Sequence, residues 1–212
     1  GFPAELRQPT EGRFPWATVS VAVLMTVVSV LGWWAGETVF DRWGLIPAEW
    51  TRWGGLTFLT SFFLHVDLYH LAANVYFLLL CGDNVEDYLG RRRWLCLLVL
   101  AALAGDWLHI LVEPRSELPT VGASGGISAL ITFYALQFPR VRLGLLIYWR
   151  LIRLPAWGLW VLWMVSQLVL LALQTVGLAQ ISAAAHLGGA AIGLLGWWYW
   201  RRIQPMDFTP GM

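Results

Sequence analysis

Residues 16–34, WATVSVAVLMTVVSVLGWW, contain no charged side chain and are long enough to cross a bilayer as a helix, which takes about 20 apolar residues. Runs of this kind recur to the end of the chain, so hydrocarbon rather than water sets the folding rules. In hydrocarbon every backbone polar group must be satisfied within the protein, and helices do this segment by segment. The composition agrees: 58% of the 212 residues are hydrophobic and 13% are charged, about half the usual charged share. An all-α polytopic membrane protein with one core is expected.

Six spans are expected, at 16–34, 67–82, 94–112, 121–138, 155–177 and 180–200. The apolar stretch 56–82 is too long for one simple span and is interrupted by His65, Asp67, His70 and Asn74. Its first part is read as lying in the interface, within the first outer loop, with Asp67 capping the second span. Pro155 suits a first helical turn, and Pro139 stops the fourth span. This gives a cytoplasmic N-terminal segment (1–15), a six-span domain (16–200) and a cytoplasmic tail (201–212). The chain opens at Gly1 without methionine, read as a trimmed start, and has no cleavable signal peptide pattern.

All 14 basic residues are arginines. Only Arg42, Arg52 and Arg115 fall on one side of these spans; the others lie in the termini and the loops after spans two and four. Basic loops stay in the cytoplasm, so both termini are expected there. Tryptophans such as Trp33, Trp34, Trp94, Trp107, Trp197 and Trp198 cluster near span ends, as interfacial belts do. RVRLGLLIYWRLIRLP, after span four, mixes arginine with apolar residues and reads as an interfacial segment. A net charge of +1 argues against a nucleic-acid partner. Cys81 and Cys96, in apolar surroundings, are read as packing residues rather than a disulfide or metal site, as are Tyr69 and Tyr76. Asp106 and His109, in span three, are read as structural or snorkelling groups.

Polar groups inside a membrane are costly and mark function by default. They gather in HVDLYHLAAN (His65, His70, Asn74), GASGG (Ser124) and AAAHLGGAAIG (His186). Spans two, four and six all enter from the outside, which puts Asn74, Ser124 and His186 about 5–10 Å from the outer ends of their spans at 1.5 Å per residue. A lone serine in a span ordinarily bonds its own backbone, and a small-residue stripe is ordinarily packing. Together at one depth they describe a site. Histidine is the side chain suited to take the serine proton, so Ser124 is the candidate nucleophile and His186 its base. His70 and Asn74, four apart on one helix face, are candidates to stabilise an oxyanion beside the Ser124 amide. Gly122, Gly125 and Gly189 supply the small surfaces for close packing of spans four and six, with Gly189-x-x-x-Gly193 as a small-xxx-small pattern.

Competing patterns fail. Gly122-x-Ser124-x-Gly126 matches the esterase elbow, but that turn needs a preceding strand in a soluble sheet. No H-E-x-x-H is present, and neither a metal nor a cofactor is expected. An aspartyl intramembrane protease needs two facing aspartates, and a transporter would show broken helices or repeated halves.

These residues resemble the rhomboid intramembrane serine proteases, over about residues 43–195. The G-x-S-G box stands as Gly122-Ala123-Ser124-Gly125, and the second-span pattern as His65, His70 and Asn74. GDNVEDYLG (82–90) is similar to the family's turn after that span, AHLGGAAIGLL (185–195) to its last span, and WGLIPAEW (43–50) to the first outer loop of bacterial members. The resemblance implies a rhomboid-like six-helix bundle and a Ser124–His186 dyad with no third acid. It also implies an oxyanion site from His70, Asn74 and the Ser124 amide; His65 and Ser128 are expected as supporting residues. The implied activity is cleavage of single-span membrane proteins in or just outside the outer leaflet of the lipid bilayer, here a bacterial cytoplasmic (inner) membrane. Substrate access between spans two and five, and a mobile cap (TVGLAQIS, 175–182), follow by the same resemblance. Two departures stand out: Leu56-Thr57 replaces a Trp-Arg pair, and Ser128 replaces an aromatic that stacks on the catalytic histidine in some members. Ser128 is therefore expected to offer His186 a hydrogen bond instead. The alternative is an inactive rhomboid-like protein that binds membrane clients.

Overall fold

A computed structural model describes residues 14–147, 150–178 and 182–201. The chain runs α1 (Trp16–Ala35), α2 (Thr38–Trp43), two short 3-10 turns, α3 (Thr57–Phe63), α4 (Leu68–Leu89), α5 (Arg91–Val112) and α6 (Ser124–Gln137). A hairpin of β1 (Arg142–Ile147) and β2 (Arg150–Pro155) follows, then α7 (Ala156–Thr175) and α8 (Ala183–Trp200). The architecture is mostly helical. Helices α1, α5 and α7 are each long and apolar enough to cross a membrane, and α3 with α4, bent by 92°, passes as a further pair. The six-helix count is not met by that measure. Helix α6 has 14 residues, about 21 Å at 1.5 Å per residue.

The hairpin corrects the all-α expectation. The interfacial segment pairs as antiparallel strands, from Arg142 opposite Pro155 to Ile147 opposite Arg150. Its first residues alternate, Arg142 exposed and Leu143 buried, a period that suits a strand rather than a helix.

The second span is also longer than expected. GDNVEDYLG forms the last turns of α4, and the break comes only at Gly90, whose φ of +75° ends the helix. Gly82 sits mid-helix because α1 lies against it: a Cβ there would be 3.0 Å from Thr18 Cγ2. The Glu86 carboxylate, 4% exposed, accepts from the Ala17 and Thr18 amides at 3.0 and 2.8 Å. It thereby satisfies the free N–H groups of the first turn of α1. Asp67 caps α4 as expected, accepting from the His70 amide at 2.7 Å.

Helix α6 is central, buried along most of its length and packed by α4, α5, α7 and α8. Cys81 lies in this core, whereas Cys96 is exposed. Tyr69, expected to pack, is 89% exposed; Tyr76 packs at the core's margin. Large apolar side chains such as Val27 and Leu31 on α1 and Leu162 and Val169 on α7 face outward, as lipid contact requires. Of the long helices α7 is the least embedded: only Ala156, Gln167 and Gln174 are buried. It closes on Gly177, φ +74°, with the Gly177 and Leu178 amides returning to the Gln174 and Leu173 carbonyls. Residues 179–181 of the expected cap, and most of the expected terminal segments, lie outside the described residues.

Candidate active site

The segment before α6 is irregular, and its backbone groups are met by the chain between α1 and α4. Thr120 and Leu45 exchange N–H···O bonds at 2.8 and 3.0 Å, and the Gly122 amide donates to the Ser61 carbonyl at 2.9 Å. The Ala123 amide points at His65 Nε2, 3.5 Å away. The role of His65 follows from proton counting. The Ser29 hydroxyl donates its one proton to the Phe63 carbonyl at 3.0 Å, so it can only accept from His65 Nδ1, also at 3.0 Å. His65 Nδ1 thus carries hydrogen, and Nε2 keeps the lone pair that faces Ala123. Fully buried, His65 ties α1 to the head of α6.

Ser124 opens α6. Its Oγ lies 2.8 Å from His186 Nε2 on α8, joining residues 62 apart in sequence. Glycines make the approach possible. A Cβ at Gly189 would overlap the Gly125 carbonyl oxygen, and one at Gly193 would sit 2.6 Å from the Ala129 carbonyl oxygen. Helix α5 meets α8 as closely, with Gly105 against the Ala185 carbonyl and Gly188 against the Ala104 carbonyl. Gly125 itself makes only ordinary contacts with Ala185. Polar side chains thus share an interior built from small residues, where interhelical contact rests on close backbone approach.

His70 lies against Gly122, two residues before Ser124. Gly122 adopts φ +122°, and a Cβ there would lie 2.7 Å from His70 Cε1. Only glycine fits both the backbone and the ring. The rings of His65 and His70 meet edge-on at 4.9 Å. Asn74, 5% exposed, donates from Nδ2 to the His70 carbonyl at 2.9 Å. A carbonyl only accepts, so the amino group must face it; one N–H of Asn74 is left over, and Oδ1 is buried without a partner among the described residues.

Ser128 departs from expectation. Its hydroxyl donates to the Ser124 carbonyl at 2.6 Å, the ordinary i−4 bond of a helical serine, and does not hold His186. Helix α7 holds it instead. Gln167 Oε1 lies 2.7 Å from His186 Nδ1, and the Trp163 ring is 6.3 Å from the imidazole. Gln167 and Trp163 were not singled out from sequence, although Gln167 and Gln174, seven apart on an apolar span, are polar residues on one face. Gln174 bridges elsewhere, with Nε2 3.4 Å from His109 Nδ1 and Oε1 3.4 Å from the Ala184 amide. His109 Nε2 meets Thr120 Oγ1 at 2.8 Å, a structural position. Asp106 is half-buried on α5.

Residues 48–203 match the Rhomboid domain. The chain belongs to the rhomboid family. Its relatives include the RHOMBOID-like protein 12, mitochondrial, of Arabidopsis thaliana, 28% identical over 157 residues that cover 66% of this chain and 45% of the relative. The Rhomboid protein 1, mitochondrial, of Saccharomyces cerevisiae is 27% identical, covering 68% and 41%. The Presenilin-associated rhomboid-like protein, mitochondrial, of Homo sapiens is 25% identical, covering 70% and 40%. This rhomboid chain thus spans less than half the length of these relatives. All three are named as mitochondrial, and none lends support to the bacterial inner membrane expected from residues 43–50. The rhomboid match begins within the segment between α1 and α4, which clamps the head of α6, and runs past the end of α8.

Proposed function

We propose that the protein is an intramembrane serine endopeptidase that cuts single-span membrane proteins in or near their transmembrane segments. The observation that carries this reading is the 2.8 Å contact of Ser124 Oγ with His186 Nε2 inside the helix bundle. Ser124 Oγ attacks the scissile carbonyl carbon as its proton passes to His186 Nε2. The carbonyl oxygen becomes an oxyanion, stabilised by the Ser124 amide, the His70 ring and the remaining N–H of Asn74. His186 then gives its proton to the leaving amine, which departs and leaves an ester on Ser124. A water molecule, deprotonated by His186, hydrolyses the ester and restores the hydroxyl.

The proposed organisation is a six-span domain (16–200) between cytoplasmic segments 1–15 and 201–212, with the site toward the outside. Helix α6 is shorter than the roughly 30 Å hydrocarbon thickness, so Ser124 lies below the outer surface. Irregular backbone at that depth is tolerated only where protein satisfies it, which fits the clamp on residues 120–123. A substrate helix must unwind to offer its carbonyl, and access between α4 and α7 suits the shallow seating of α7. Lipid is the surrounding solvent, and nucleic acid has no part in the reaction.

The test is cleavage of a single-span substrate in liposomes by the parent, Ser124→Ala and His186→Ala proteins. Both variants are expected to lose cleavage while keeping the parental thermal transition. Cleavage by Ser124→Ala at the parental rate would sink the proposal. A parent that binds the substrate without cutting it would point instead to an inactive, client-binding member.

A further inference from the structure

Resting on the Ser124–His186 reading above, we propose that Gln167 is a positioning residue that fixes the tautomer of the general base. The Ser166 hydroxyl donates its single proton to the Trp163 carbonyl at 2.6 Å. Its oxygen then has only lone pairs to offer, and Gln167 Nε2, 3.2 Å away, must donate to it. This fixes the amide: the amino group faces Ser166 and Oε1 faces His186 Nδ1 at 2.7 Å. An amide oxygen only accepts, so His186 Nδ1 carries the hydrogen.

The consequence falls on the other ring nitrogen. A neutral imidazole with hydrogen on Nδ1 presents a bare lone pair at Nε2, the atom 2.8 Å from Ser124 Oγ. The opposite tautomer would point N–H at the serine and be unable to take its proton. As His186 becomes imidazolium, its Nδ1–H bond to Gln167 becomes charge-assisted and strengthens, so the contact favours the transition state over the resting state. Orientation of a catalytic histidine by a third group is a general requirement; here a neutral amide fills that place. Gln167 is 4% exposed, so water does not compete for the position. The amide comes from α7, the least embedded of the long helices, which makes seating of α7 a condition for an aligned base.

The experiment uses the full chain in lipid nanodiscs, with three readouts. These are kcat and KM for a single-span substrate, the rate of fluorophosphonate labelling of Ser124, and the 15N resonances of the His186 ring. Gln167→Leu keeps the bulk and removes the acceptor. It is expected to lower kcat and the labelling rate about ten- to a hundredfold, the loss of a hydrogen bond to a charged group, with KM little changed. Its ring resonances should move from a single Nδ1–H form to a mixture. Gln167→Glu keeps an acceptor at the same reach and should recover most of the labelling rate.

Gln174→Leu loosens the same helix without touching His186, and separates positioning from mere docking of α7. Its labelling rate should stay well above that of Gln167→Leu. Parental labelling by Gln167→Leu would overturn the inference, as would equal losses in Gln167→Leu and Gln174→Leu, or in the Leu and Glu variants of Gln167. Because Ser124→Ala is assayed alongside, loss of the protease reading would be distinguishable. In that case Ser124→Ala would cut like the parent, whereas failure of this inference alone leaves Ser124→Ala inactive and Gln167→Leu active.

Discussion

At the residue scale, the site depends as much on missing atoms as on present ones. Gly189 lets α8 lie on the Gly125 carbonyl, and Gly122 gives way to the His70 ring. Gly189→Ala adds one methyl to a space already filled by backbone, which cannot rotate away as a side chain can. Such overpacking costs about 1–3 kcal/mol, and the helix must move to relieve it. A shift of about 1 Å at a reacting pair costs about a hundredfold in rate. Gly189→Ala is therefore expected to label Ser124 about a hundredfold more slowly while still unfolding cooperatively, as checked by fluorophosphonate labelling and a thermal melt. His65 works on the same scale by proton bookkeeping: one ring satisfies Ser29 and Ala123 in elements far apart in sequence.

At the element scale, helix ends are joined by single polar side chains. Glu86, buried on α4, takes the place of an N-cap for α1 through the Ala17 and Thr18 amides. Arg91, 3.7 Å away and 61% exposed, adds little, since exposed pairs are weak. Glu86→Ala should cost about 1–2 kcal/mol, the usual price of a lost cap, and should do so through α1. A lowered thermal transition, with protease nicking concentrated before residue 36, would fit. A melt unchanged from the parent would show that α1 is held by packing alone. Helix α7 offers the contrast, with Trp160 Nε1 donating to Thr132 Oγ1 at 3.0 Å and its two glutamines as its polar ties to the bundle.

For the whole molecule, depth of burial predicts an order of mobility. Helix α6 is enclosed on all sides, whereas α7 presents most of its length to lipid. Local opening follows the number of buried contacts an element must break. Backbone amides of α7 are expected to exchange faster than those of α6 in nanodiscs, measured by hydrogen–deuterium exchange. Equal protection in the two helices would contradict an α7 that yields to a substrate. The same gradient links the proposed access route to the proposed alignment of His186, because the helix that moves most easily carries the amide that orients the base.

The apolar runs, the polar residues inside them and the G-x-S-G box made the membrane bundle and the candidate pair Ser124 and His186 legible from sequence, because burial in lipid makes every polar residue conspicuous. Asp67 as a cap was legible too, since capping is local. The hairpin at 142–155 was not: arginines among apolar residues suit any interfacial segment, and pairing of the two runs decided between them. Gln167, for which no part was expected, takes the one expected of Ser128, for a geometric reason. A serine on α6 reaches its own helix before it reaches α8, while α7 comes to lie against His186 only when the bundle closes. The candidate pair was thus written in the sequence, but which nitrogen of His186 carries hydrogen was decided by tertiary packing, through an amide 19 residues away.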